Sequence, residues 1–250
     1  MEYPGLLGAV FKFAQWLVKM IFANLLWFFT SLPLTFFSLY LLDVALTEDG
    51  VAGLREILTN FPQHIIPTSL IIFIGAILST VFLFPATSAL FSVVRQWHIN
   101  EDETTVKNFF VYYKANYKQS ILGGLFFNTL LSFMFINVWF YLIYNGSTTI
   151  LGIIFLIIYV ISCIACVYFF CLVSHVKMNV KQILKNSFVL TIGKPITTLF
   201  ICLNTSLILF VLVFVFPYLM VFFAVSLIAY FSFILFEKMF STLVDTKPSS

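Results

Sequence analysis

The chain has 250 residues, of which 62% are hydrophobic and only 9% charged, where a soluble domain carries about 25% charged residues. So few charges cannot cover a surface that faces water on all sides, and the length leaves no room for a sizeable soluble catalytic domain. The net charge is only +3, and the basic residues are thinly spread and hug the apolar runs, which argues against nucleic acid as a partner.

About 20 apolar residues cross a bilayer as a helix. The first charge-free run, residues 20–42, lies between Lys19 and Asp43 and is expected to be an uncleaved first span. Residues 43–63 are polar and acidic and form the longest outer loop, within which 51–58 are expected to make a short surface helix. The second run covers 65–94, longer than one span requires, and contains Pro85. Proline lacks an N–H and clashes with the preceding turn, so the crossing is expected to end near Phe84, with a bend between Leu83 and Ala89 and a kinked continuation to Trp97. Residues 98–119 are the first inner connection, where Asn100 and Glu103 resemble a capping box. No charge appears between Lys118 and Lys177, enough for two spans separated at Tyr144-Asn145-Gly146-Ser147. Asn145-Gly146-Ser147 also matches a glycosylation sequon, although the turn accounts for it. Residues 177–194 are the second inner connection, and 196–236 hold two more spans with a turn at Phe216-Pro217. The expected fold is all-α: one polytopic domain over 1–240, with six transmembrane helices in three hairpins, and a disordered cytoplasmic tail over 241–250.

Charge sets the expected orientation. On this layout twelve of the 13 Lys and Arg residues fall on one side, and only Arg55 falls on the other. The positive-inside rule then puts both termini in the cytoplasm of a bacterial cell, with the basic face against an anionic inner leaflet. Basic residues recur in helical register before each odd-numbered span: Lys12 and Lys19; Lys107, Lys114 and Lys118; Lys177, Lys181 and Lys185. Each set is expected to mark an amphipathic helix lying along the cytoplasmic interface. Asn24, Asn128 and Asn204 then fall early in spans one, three and five, which suggests a weak internal repeat.

Little in the chain suggests chemistry. No proposed span carries Asp, Glu, Lys or Arg, which weighs against an ion-coupled transporter or proton pump. The intramembrane asparagines, Thr30, Ser31, Thr205 and Ser206 either bond neighbouring helices or line a polar path. His64, His98 and His175 sit at separate span ends and cannot share a metal. Cys163 and Cys166 form a C-x-x-C with no His or acid nearby, so they and Cys171 and Cys202 are expected to be packing residues. There is no H-E-x-x-H, P-loop, G-x-S-x-G or nucleotide fingerprint. The expectation is a protein that is not an enzyme and holds no cofactor.

The most distinctive string runs from Phe84 to Trp97, FPATSALFSVVRQW. It joins Pro85, a small-residue patch at Ala86, Thr87, Ser88 and Ala89, and an Arg95-x-Trp97 pair of the kind that anchors at an interface. Together with Ala23-Asn24-Leu25-Leu26-Trp27, and with Phe109-Phe110, Tyr113-Lys114 and Asn116-Tyr117-Lys118, it resembles the YesL-like bacterial membrane proteins, a family of unknown function. The resemblance implies a polytopic inner-membrane protein encoded near carbohydrate ABC transporters, glycan-degrading enzymes and two-component sensors. On that footing the expected role is a non-enzymatic accessory or regulator of carbohydrate uptake, partnered by an ABC transporter or sensor kinase. Its contact surfaces would be the 86–89 patch and the basic helices. The alternative is a small permease or channel for an uncharged solute.

Overall fold

The computed structural model describes residues 6–46, 61–99, 105–144 and 149–245. Among them every element is helical, and no strand is present. The expected 51–58 helix, the Asn100–Glu103 cap and the Asn145-Gly146-Ser147 turn lie outside the described residues. Helix α1 spans Leu6–Thr30 and α2 Leu32–Leu46. Helix α3, Phe61–Leu78, passes through a π-turn at Ser79–Leu83 into α4, Phe84–Ile99. Helix α5 runs Thr105–Trp139, α6 Ile150–His175, α7 Val180–Gly193, α8 Pro195–Phe210 and α9 Met220–Asp245. Six helical stretches are long and apolar enough to cross a membrane: Gly8–Thr30, Ser69–His98, Val106–Leu142, Ile150–His175, Pro195–Val215 and Pro217–Thr242. The protein is therefore built as a multi-pass membrane protein.

The first run is not one helix. It breaks at Ser31, whose N–H and hydroxyl both turn back to the carbonyls of Trp27 and Phe28. The cause is Pro33, which has no N–H to continue the ladder. Pro85 acts in the same sense. The irregularity falls one turn earlier than expected, at Ser79–Leu83, where the Phe84 N–H reaches the Ser79 carbonyl, and α4 is regular from Phe84 onward. A wider turn makes room for a ring that would otherwise press on the preceding carbonyl. At the other predicted break, Phe216 leaves the helix and Pro217 opens a short 3₁₀ turn, Pro217–Leu219, before α9. Helix α9 continues to Asp245, past the expected start of the tail at residue 241.

The basic segments differ most from expectation. Lys107, Lys114 and Lys118 do not lie on a separate interfacial helix; they belong to the first part of α5, a single helix of 35 residues. At 1.5 Å per residue it is about 52 Å long, well beyond a hydrocarbon core of about 30 Å. Lys12 and Lys19 likewise belong to α1. Only α7 is separate, and it packs into the bundle. Ile183, Ser187 and Thr191 are buried, and Phe188 stacks on Phe127 of α5 at a centroid distance of 6.0 Å. Of the third set Lys181 and Lys185 lie on α7, but Lys177 precedes it, and a helix projecting from a span has the same period as one lying flat.

Helix α4 is the centre of the bundle. It touches α1, α5, α6 and α9, and Ala86, Ala89, Leu90, Val93 and Val94 are buried. Helix α1 lies against α9, so the first and last spans close the bundle. Gly123 and Gly124 of α5 allow the closest approaches: a Cβ at Gly123 would overlap the Phe169 ring of α6, and one at Gly124 would press on Phe84 of α4. All four cysteines are free thiols.

Candidate functional site

The residues singled out in the sequence divide into helix-to-helix pins and a charged cluster at the basic end of the bundle. Asn24 is the strongest pin. It is 1% exposed. Its Nδ2 donates to the Val221 carbonyl at 2.6 Å, and its Oδ1 accepts from the N–H groups of Val225 and Ser226 at 3.0 and 2.9 Å. One amide thus inserts into the backbone ladder of α9, where Val225 would ordinarily bond Val221. One turn on, Trp27 Nε1 donates to Thr87 Oγ1 at 3.0 Å, and Thr87 donates to the Leu83 carbonyl at 2.8 Å. Trp27 and Thr87, from the two most distinctive sequence marks, are therefore bonded to each other.

Beyond Pro85, which is itself buried, a polar zipper joins α4 to α5. Ser120 Oγ donates to Ser88 Oγ at 2.6 Å, and Asn116 Nδ2 to Ser92 Oγ at 2.9 Å. Both helices place these groups four residues apart, so the pairs stack on one face. Ala86, Ser88 and Ala89 are 0% exposed. The small side chains of this patch let the protein's own helices approach. Asn128 does for the π-turn what Asn24 does for α9, with Nδ2 donating to Thr80 Oγ1 at 2.8 Å and to the Ala76 carbonyl at 3.3 Å. The third asparagine of the series differs. Asn204 Nδ2 and Thr205 Oγ1 of α8 are buried without a hydrogen-bond partner among the described residues.

At the basic end Arg95 does not reach for head groups. Its Nη1 donates to the Ser174 carbonyl at 3.0 Å. Ser174 is in the last turn of α6, whose carbonyls lack helical partners and carry the negative end of the helix dipole. Trp97 packs against the bundle core. His98 Nε2 lies 2.9 Å from Glu237 Oε2 of α9. His175, ringed by Phe233, Phe236 and Phe240, lies within electrostatic reach of both Arg95 and Glu237. His98 and His175 thus converge on one carboxylate although they end different spans. Sequence reading missed this cluster because Glu237 is remote from both in the chain. No group of three metal-ligating side chains is present among the described residues.

A cleft of about 510 Å³ opens beside this cluster. Its walls are α5 at Ala115, Asn116 and Gln119, the end of α6 at Val173, and the turn into α7 at Lys177, Met178, Asn179 and Gln182. Gln119 Nε2 donates to the Met178 carbonyl at 3.1 Å and ties the turn to α5. Of the basic triplet, Lys107, Lys114 and Lys118 are all exposed, and Lys114 and Lys118 flank the α5 wall.

A curated relative, the uncharacterized protein YteU of Bacillus subtilis (strain 168), is 29% identical over 126 residues, covering 50% of this chain and 37% of that protein. The aligned region thus spans well under half of that relative's length. No solved structure matches. The profile of the family described as protein of unknown function, DUF624, matches residues 20–138, a segment that contains Asn24, Trp27, the Phe84–Trp97 string and the basic part of α5. Over that segment the chain is similar to the DUF624 family, in keeping with its resemblance to the YesL-like family.

Proposed function

We propose that the protein is a non-enzymatic accessory or regulatory subunit of the bacterial cell membrane that serves carbohydrate uptake or sensing. Its termini are cytoplasmic, and its partner is an ABC transporter or a sensor kinase. The observation that carries the reading is the use of the intramembrane polar groups. Asn24, Trp27, Thr87, Ser88, Asn116, Ser120 and Asn128 all bond a neighbouring helix. Groups tied up in this way hold a bundle together and leave little to line a solute path. The carbohydrate context rests on the family resemblance alone. The partner surface is the basic end, where Lys107, Lys114 and Lys118 project on the exposed part of α5. Co-purification from native membranes tests it: a transporter or kinase subunit should be retained by the wild type and lost from the Lys107→Glu/Lys114→Glu/Lys118→Glu variant. Recovery of the protein alone from both would refute it.

The second reading, a permease for an uncharged solute, is favoured by Asn204 and Thr205. Their buried polar atoms have no partner among the described residues, and buried polar atoms without one are costly.

A further inference from the structure

The cleft beside α5 has a lining chemistry that the accessory role does not explain. Lys177 supplies a cation at its mouth. Asn116 and Gln119 each commit one amide N–H to the protein, Asn116 to Ser92 and Gln119 to the Met178 carbonyl. Each keeps a carbonyl oxygen and a second N–H for the cleft. Carbonyl oxygens only accept. A bare phosphate or sulfate would satisfy only the N–H half of each amide, whereas hydroxyls, which donate as well as accept, match both halves. Asn179 opens α7 without using its side chain to cap the helix, so its amide and that of Gln182 remain available on the opposite wall. Lys114, Lys118 and Lys181, each next in sequence to a lining residue, are exposed. The lining therefore asks for an anionic group and several hydroxyls on one small molecule, and the volume falls in the range of small-ligand sites, roughly 300–1,000 Å³.

Position adds a second constraint. The cleft lies where the charged part of α5 gives way to its apolar part. Leu122, Leu125 and Phe126, directly beyond Gln119, are 54%, 59% and 42% exposed. A head group in the cleft could leave its acyl chains on that face.

We propose that this cleft binds a polyol phosphate, with Lys177 on the phosphate and the carbonyl oxygens of Asn116 and Gln119 accepting from the hydroxyls. The site does not depend on the accessory reading. A membrane lipid head group and a soluble sugar or glycerol phosphate share this chemistry, and the test separates them. The full-length protein in phosphatidylcholine nanodiscs is titrated with short-chain phosphatidylglycerol, with glycerol 3-phosphate and with inorganic phosphate. Saturable binding of phosphatidylglycerol alone assigns a lipid; binding of glycerol 3-phosphate assigns a soluble ligand. In either case Lys177→Gln and Gln182→Leu, neither of which removes a helix-to-helix bond described above, should each weaken binding at least about tenfold. Lys107→Gln, outside the cleft, should not. The proposal is overturned if neither polyol phosphate binds saturably, if inorganic phosphate binds as well as they do, or if Lys107→Gln weakens binding as much as Lys177→Gln.

Discussion

At the residue scale the bundle depends on a few polar and small side chains. Asn24 makes three bonds to α9. Interhelical bonds in membranes average about 0.6 kcal/mol each. Asn24→Leu should therefore lower stability by about 2 kcal/mol, read as a reduced unfolding midpoint in detergent; an unchanged midpoint would mean that the first and last spans are held by apolar packing alone. Gly123 is a steric requirement. Gly123→Ala forces the Phe169 ring to move and should cost about 1–3 kcal/mol, as overpacking does. Gly193→Ala, where an added methyl meets nothing within 4 Å, serves as the tolerated control. Neither effect was fully legible in the sequence. Asn24 stood out as a polar residue in an apolar run, but its partner is 197 residues away. Gly123-Gly124 was readable as a close-approach signal and was overlooked.

At the element scale three prolines mark changes of helix geometry, although Pro67 lies within the uninterrupted helix Phe61–Leu78, and the lysines do not mark separate interfacial helices. Pro33, Pro85 and Pro217 all lie at or within a turn of a change in helix geometry, because a missing N–H is a local fact that sequence carries directly. The lysine period gives a helix face and not the axis of that helix relative to the membrane. The continuity of α5 settles the difference, and it is measurable. Spin labels at Lys107 and Phe133, both exposed, should sit about 39 Å apart along a straight helix at 1.5 Å per residue in a cysteine-free background. A distance well below 30 Å would restore the bent, interfacial arrangement. Arg95 belongs to this scale too, since it joins α4 to the end of α6. Arg95→Gln should lower the unfolding midpoint by an amount corresponding to about 1.5–3 kcal/mol, the usual worth of a hydrogen bond to a charged group. No change would show that the Ser174 carbonyl is satisfied without it.

At the scale of the whole molecule, composition and charge-free runs delivered six spans because the bilayer imposes its thickness on any chain that crosses it. Neighbour relations were not legible. Nothing local announces that Trp27 meets Thr87 at a separation of 60 residues, or that α1 lies on α9. The same packing separates the polar groups that hold helices from those that remain over. Asn204 and Thr205 remain over, and they are where the permease reading makes its distinct claim. Solute flux into liposomes that contain only the purified protein is therefore the most direct measurement. With a panel of uncharged sugars and polyols, the account predicts flux no greater than that of protein-free liposomes. Saturable flux of one such solute, abolished by Asn204→Leu, would contradict it.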